Sequence, residues 1–286
     1  MWTADKWKDY ELIDTSDGER LERWGKYILR RPDPQVVWNN VKKSPLWNKA
    51  DAVYTREGGG GSWTKCDVPT SWNISYGDMT FKVKPMGFKH TGLFPEQAVN
   101  WDRCAEVIKG AGRRVKVLNL FAYTGGASVA AAKAGGEVYH VDAAKNMVAQ
   151  AKENAALSGV SDSIRFFVDD CTRFLTYAKK KGITYDAVIM DPPSYGRGPS
   201  GEVWKLEECV GEFISLAASV LSDKPLFFLV NSYTTGISPS SMGYMLDLFI
   251  KKKYGGIISA DEIGLPVSET GAVLPCGGSA LWTAGK

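Results

Sequence analysis

Short apolar blocks broken by turn residues occupy the first third of the chain, and a regular alternation of longer patterns replaces them afterwards. Over residues 1–84, Tyr10–Ile13, Arg20–Trp24, Tyr27–Arg30, Trp72–Tyr76 and Met79–Val83 read as strands, the last two joined at Gly77-Asp78. Gly58-Gly59-Gly60-Gly61-Ser62 reads as an exposed flexible loop. From residue 85 onward, buried-type strands alternate with helical periods. The strands are Val115–Leu120, Val138–Val141, Ile164–Val168, Tyr185–Met190 and Leu226–Val230; the helices are Glu96–Lys109, Ala127–Ala134, Lys145–Leu157, Thr172–Lys181, Leu206–Leu221 and Ser241–Lys252. Repeated βαβ units demand a parallel sheet with helices on both faces. The last two strands, Ile257–Ile263 and Ala280–Thr283, have no helix between them, so an antiparallel hairpin is expected at the sheet edge.

Composition sharpens this picture only in places. With 286 residues, 44% of them hydrophobic, the chain can bury a full α/β core and carry a smaller β-rich domain, placed here at 1–84 with the α/β domain at 85–286. A net charge of +3 permits an anionic partner without requiring one. The five cysteines are scattered and never in Cys-x-x-Cys spacing, which argues for reduced thiols and against a disulfide framework or a metal site. No apolar signal core opens the chain and no run reaches membrane-spanning length, so a soluble cytoplasmic protein is expected. Seven tryptophans of the first domain (Trp2, Trp7, Trp24, Trp38, Trp47, Trp63 and Trp72) interleave with Lys and Arg. They suit a stacking surface for RNA bases, although core and interface packing is the better reading.

Candidate chemistry sits just after the strands, because doubly wound sheets hold ligands outside their carboxyl ends. The first parallel strand runs into Phe121-Ala122-Tyr123-Thr124-Gly125-Gly126, where two residues without Cβ allow a sharp turn and close backbone approach to a ligand. The second ends at Asp142, seventeen positions after Gly125, a carboxylate suited to accept from two ribose hydroxyls. The third is followed by Asp169, Asp170 and Cys171, where a carboxylate suits an adenine amino group. The fourth runs into Asp191-Pro192-Pro193-Ser194-Tyr195. Neither Gly-x-Gly-x-x-Gly nor Gly-x-x-x-x-Gly-Lys-Ser/Thr is present, so a nucleoside cofactor without phosphates is favoured. S-adenosylmethionine fits, with its ribose on Asp142, its adenine near Ala143 and Cys171, and its methionine end against Gly125.

These residues also carry a family resemblance. Residues 85–286 resemble the class I S-adenosylmethionine-dependent methyltransferases, in particular the ribosomal RNA enzymes that methylate cytosine C5 or guanine N7 in the large subunit. The matching stretches are His90-Thr91-Gly92-Leu93-Phe94-Pro95-Glu96-Gln97, Leu118–Gly126, Val141-Asp142-Ala143-Ala144-Lys145 and Met190–Tyr195. The resemblance implies a Rossmann-like fold with a seven-stranded, mostly parallel sheet and an antiparallel edge hairpin. It implies a cofactor site lined by Thr91, Phe121, Tyr123, Thr124, Asp142, Ala143 and Asp170, and methyl transfer at Asp191–Tyr195.

Two departures shape the expected reaction. The family's Asp-Gln-Arg is Glu96-Gln97-Ala98 here, so no role for that arginine carries over. Cytosine C5 chemistry needs a thiolate that adds to the ring, and relatives of that type place it after the fifth strand, where this chain has Asn231-Ser232-Tyr233. Transfer to a base nitrogen in ribosomal or other structured RNA is therefore expected. Asp191, Pro192 and Pro193 would hold the acceptor, Tyr195 would stack on the base, and Arg197 in the following Gly-rich stretch would meet phosphate. Two other readings remain open: the same chemistry on a small molecule or protein, and a cofactor-binding RNA or assembly factor without catalysis. An NAD-dependent oxidoreductase is opposed by the missing phosphate signature.

Overall fold

The computed structural model describes residues 1–58, 60–197 and 203–285. The chain divides into two compact units, residues 1–99 with 263–276 and residues 100–262 with 277–286.

In the first unit β1 (Trp2–Thr3), β2 (Tyr10–Ser16), β3 (Glu19–Trp24), β4 (Tyr27–Pro32), β5 (Ala52–Glu57), β6 (Gly60–Cys66), β7 (Trp72–Tyr76) and β8 (Met79–Val83) follow one another. A five-stranded sheet runs in the order β2-β3-β4-β5-β6, and β7 pairs with β8 as a separate hairpin. Asp17 and Gly18, both left-handed at φ 54° and 74°, turn β2 into β3. The expected loop at 58–62 is corrected. Gly60, Gly61 and Ser62 are strand residues of β6, opposite Glu57, Arg56 and Thr55, and Gly59 lies outside the described residues. Gly61 is glycine for a packing reason, since a Cβ there would stand 2.5 Å from the Thr55 carbonyl and 2.6 Å from the Tyr54 ring.

An ionic cluster lies inside this unit. Arg31 Nε and Nη2 donate to the two oxygens of Glu22 at 2.6 and 2.8 Å, and the Tyr10 hydroxyl donates to Glu22 Oε1 at 2.8 Å. Arg20 lies 3.4 Å from Glu22 and 3.5 Å from Asp33. Burial alone would raise the Glu22 carboxyl, but Arg20, Arg31 and the hydrogen bonds hold it at about 2. The tryptophans serve the same interior. Trp24 is fully buried beneath the Arg31 guanidinium, and the indole N–H groups of Trp7, Trp38, Trp47, Trp63 and Trp72 all donate to oxygens of this unit.

The helix α1 (Ala98–Gly110) opens the βα alternation, preceded by a 3₁₀ turn at Pro95–Gln97. Then come β9 (Lys116–Leu120), α2 (Gly126–Lys133), β10 (Glu137–Asp142), α3 (Lys145–Leu157), β11 (Ile164–Val168), α4 (Cys171–Lys181) and β12 (Ala187–Met190). A hairpin of β13 (Tyr195–Arg197) and β14 (Val203–Lys205) follows, then α5 (Leu206–Ala218), β15 (Phe227–Ser232) and α6 (Pro239–Leu246). A π-helical turn at Asp247–Lys251 leads into α7 (Lys252–Tyr254), β16 (Ile257–Pro266) and β17 (Val273–Thr283). In the second unit the strands lie in the order β16-β17-β15-β12-β9-β10-β11. Neighbours from β11 to β15 pair in parallel, β15 pairs with β17 antiparallel, and β16 and β17, joined without a helix, lie side by side. Every residue of β12 and β15 is buried, which suits strands covered on both faces by helices. Residues 263–276 of the last two strands return to the first unit, where Ile263 and Gly264 pair with Trp2 and Thr3, and the Ser268 and Glu269 N–H groups donate to the Leu12 and Ile13 carbonyls at 3.0 Å. Among the described residues no helix is long and apolar enough to cross a membrane.

Candidate active site

Parallel register sets the site. Asp142 pairs with Val168, Val141 with Leu120, and Leu120 with Met190, so the carboxyl ends of β11, β10, β9 and β12 form one rim. Asp169, Asp142, Phe121 and Asp191 stand along it.

The turn after β9 is strained and firmly held. Phe121 and Tyr123 are left-handed at φ 54° and 50°, a conformation that costs non-glycine residues about 1–2 kcal/mol each and persists only where neighbours impose it. Those neighbours are visible. The Phe121 N–H donates to Cys171 Sγ at 3.4 Å, the Tyr123 N–H to Asp142 Oδ2 at 2.8 Å, and the Thr124 carbonyl accepts from Asn154 Nδ2 at 2.8 Å. Gly125 is also left-handed, at φ 85°. The missing Cβ atoms make room for protein. A Cβ on Gly125 would meet Ala151 Cβ at 3.0 Å, and one on Gly126 would meet the Trp101 ring at 2.6 Å. What this turn offers a ligand is therefore backbone, held over a packed floor.

Beneath the turn lies a polar network that periodicity did not reveal. Asn119 Nδ2 donates to Ser128 Oγ at 2.9 Å, and Ser128 Oγ lies 3.0 Å from His140 Nδ1, with all three side chains buried. Burial lowers the His140 imidazole to about 3, so it is neutral at physiological pH. The available signal was an Asn and a His inside otherwise apolar strands, because polar groups in such positions need partners.

Asp142 Oδ2 accepts from Tyr123 and Oδ1 accepts from the Ala144 N–H at 2.8 Å, leaving lone pairs on both oxygens. Burial raises its carboxyl, and the two backbone N–H groups oppose that rise. Asp170 caps α4 through Oδ1, which accepts from the Arg173 N–H at 2.8 Å, and Asp169 binds the Arg173 guanidinium at 2.5 Å. Cys171 is buried with its thiol pushed up by burial, and Ala143 is exposed. Thr91 is buried in the first unit, the other expected cofactor residues being in the second.

After β12 the chain turns through Asp191, Pro192 and Pro193 into the β13–β14 hairpin. The Leu206 N–H donates to the Ser194 carbonyl at 3.1 Å, Thr234 Oγ1 donates to Ser194 Oγ at 2.6 Å, and Trp204 Nε1 donates to the Pro193 carbonyl at 2.7 Å. Thr234 and Trp204 were not singled out from the sequence. Asn231 is part of the interior, its Oδ1 accepting from Asn100 Nδ2 at 3.0 Å and Ser279 Oγ at 2.6 Å. Tyr195 is 53% exposed. Of the loop expected at 196–201, Gly196 and Arg197 are instead strand residues of β13, opposite Trp204 and Val203, and residues 198–201 lie outside the described residues.

The sheet order, the antiparallel last strand and a rim rich in carboxylate acceptors define a class I methyltransferase. That rim fits S-adenosylmethionine. Asp142 keeps acceptor capacity on both oxygens, Asp169 and Asp170 add carboxylates one strand along, and no phosphate cradle is present at the strained turn. A model of the S-adenosylmethionine-dependent methyltransferase family matches residues 51–204. The chain is similar over 98% of its length, at 34% identity and a TM-score of 0.91, to the crystal structure of the SAM-dependent methyltransferase from Agrobacterium tumefaciens, covering 92% of that chain. It is 40% identical over 118 residues to the ribosomal RNA large subunit methyltransferase K/L of Shewanella sp. strain ANA-3, which is 40% of this chain and 16% of that protein. It is 36% identical over 107 residues to the ribosomal RNA large subunit methyltransferase I of Aeromonas hydrophila, 37% of this chain and 26% of that one. The chain thus spans about a sixth to a quarter of the length of these two curated relatives. It belongs to the S-adenosylmethionine-dependent methyltransferases.

Proposed function

We propose that this protein transfers a methyl group from S-adenosylmethionine to a base nitrogen in structured RNA, with ribosomal RNA as the substrate class. The observation that carries the nitrogen reading is the state of the thiols. Burial pushes Cys104 up to about 12 and raises Cys171 and Cys276 as well, Cys209 is also raised, and exposed Cys66 lies on β6 of the first unit. The four buried or half-buried thiols are poor nucleophiles, and none of the five cysteines directly follows β12 or β15. The RNA class is supported by the similarity to the ribosomal RNA large subunit methyltransferases K/L and I.

In this reading Asp142 orders the ribose, Phe121, Tyr123, Thr124, Gly125 and Gly126 hold the donor through backbone, and Ala143, Asp170 and Cys171 complete the cofactor's surroundings. When bound, the cofactor supplies an electrophilic methyl group. The protein's own task is to aim a nitrogen lone pair and exclude water, which Asp191, Pro192 and Pro193 do by presenting a stiff, tethered edge. Tyr195 stands at the rim where RNA arrives, and residues 85–286 carry the chemistry.

Tritiated methyl transfer to unmodified large-subunit ribosomal RNA, followed by nucleoside mass spectrometry, tests this. Label on a base nitrogen is expected, and label only in protein or small molecules rejects the RNA reading. Alkylating the native protein with iodoacetamide should modify Cys66 first and leave transfer intact. Abolished transfer would restore the C5 mechanism.

A further inference from the structure

The geometry points to Trp204 as the surface on which the acceptor base stacks, an inference that rests on the RNA reading above. The Asp-Pro-Pro edge is followed by Ser194, so no aromatic ring comes from the adjacent position. The hairpin brings one back from ten residues further on. Tyr195 pairs with Lys205 and Gly196 pairs with Trp204. Directly opposed residues of an antiparallel pair share a face and successive residues alternate, so Tyr195 and Lys205 project from one face and Trp204 from the other. A Cβ on Gly196 would lie 3.7 Å from Trp204 Cβ, so the small partner leaves the Trp204 side of the hairpin unobstructed.

Trp204 joins the two halves of the reaction. Its Nε1 donates to the Pro193 carbonyl at 2.7 Å, which fixes the indole to the acceptor edge. Its ring centroid is 5.5 Å from that of Phe121, the left-handed residue of the donor turn, and 5.4 Å from that of Phe213 on α5. Phe121 and Phe213 are themselves 5.2 Å apart, so the three rings form one cluster in which Phe213 is buried and Phe121 and Trp204 are half-buried. An indole held this way has few accessible rotamers, and its intermediate burial leaves part of the ring within reach of a base, as a stacking platform requires. Tyr195, on the opposite face, is left to meet flanking RNA.

The test compares Trp204→Phe, Trp204→Leu and Tyr195→Ala, using in-vitro-transcribed large-subunit ribosomal RNA as acceptor and calorimetry for S-adenosylmethionine. Trp204→Leu should lower kcat/KM for RNA about 10- to 100-fold, the range expected for one lost base–aromatic stack. Trp204→Phe keeps a ring without the N–H and should stay within about threefold. Cofactor affinity should change less than about threefold in both variants, and Tyr195→Ala should lose less activity than Trp204→Leu. Equal loss in the Phe and Leu variants would mean that Trp204 only tethers Pro193, and overturns the proposal. A loss of cofactor affinity matching the loss of transfer, or a larger loss in Tyr195→Ala, overturns it too. Full activity of Trp204→Leu while the parent labels RNA refutes the Trp204 role alone. No label with the parent enzyme overturns both this role and the RNA reading.

Discussion

Each oxygen of Asp142 already holds a backbone N–H, so removing the carboxylate disturbs the protein before it affects a ligand. Asp142→Ala leaves the Tyr123 and Ala144 N–H groups without acceptors, for an expected stability loss of about 1–3 kcal/mol in urea titrations. S-adenosylmethionine affinity should fall at least about tenfold, and unchanged affinity would reject the ribose assignment. The two histidines set a second expectation. Burial lowers His140 to about 3, and burial with Arg31, Lys89 and Arg20 lowers His90 to about 4. Both stay neutral in the folded chain while the unfolded chain protonates near pH 6.5, so their stabilisation is present above that pH and is lost as the pH falls toward these values. The slope is about 1.4 kcal/mol per pH unit for each histidine. A urea midpoint that is flat from pH 6.5 to 5 would contradict this. Asp142 and Asp191 were legible in the sequence because each ends an apolar run. The capping by Asp170 and the network around His140 were not, because they depend on which side chains the tertiary fold brings within reach.

Among the elements, the turn between β9 and α2 is the one most constrained by its neighbours. Gly126→Ala drives a Cβ into the rigid Trp101 ring, so a loss of about 1–3 kcal/mol is expected together with weaker cofactor binding. A variant with unchanged thermal midpoint and unchanged affinity would show that the turn can shift freely. The spacing of these glycines predicts openings for a ligand, but they face Ala151, His140 and Trp101, a distinction that one-dimensional spacing does not contain. The β-strands of the α/β region were legible because each is a short, mostly apolar run. The hairpins β5–β6 and β13–β14 are not legible for the opposite reason: glycine-rich strands and three-residue strands carry almost no alternation. The second omission hid Trp204.

At the scale of the whole molecule, the fold class was legible in the order of strands and helices, and in the missing helix before the last strand. The ionic interior of the first unit was not, since Arg20, Glu22 and Arg31 sit in a polar run that alternation alone would turn toward water. Glu22→Gln leaves Arg31 and Arg20 facing an uncharged partner and should destabilise the protein by about 3–5 kcal/mol in chemical denaturation. A loss below about 1 kcal/mol would mean that solvent reaches the cluster. The return of residues 263–276 to the first unit has a consequence for synthesis. On a ribosome, residues 1–99 emerge long before the segment whose Ile263, Gly264, Ser268 and Glu269 bond to Trp2, Thr3, Leu12 and Ile13. The unit that is translated first is therefore among the last to close, and until then the edge of β2 must wait, unpaired, for a strand that has not yet been made.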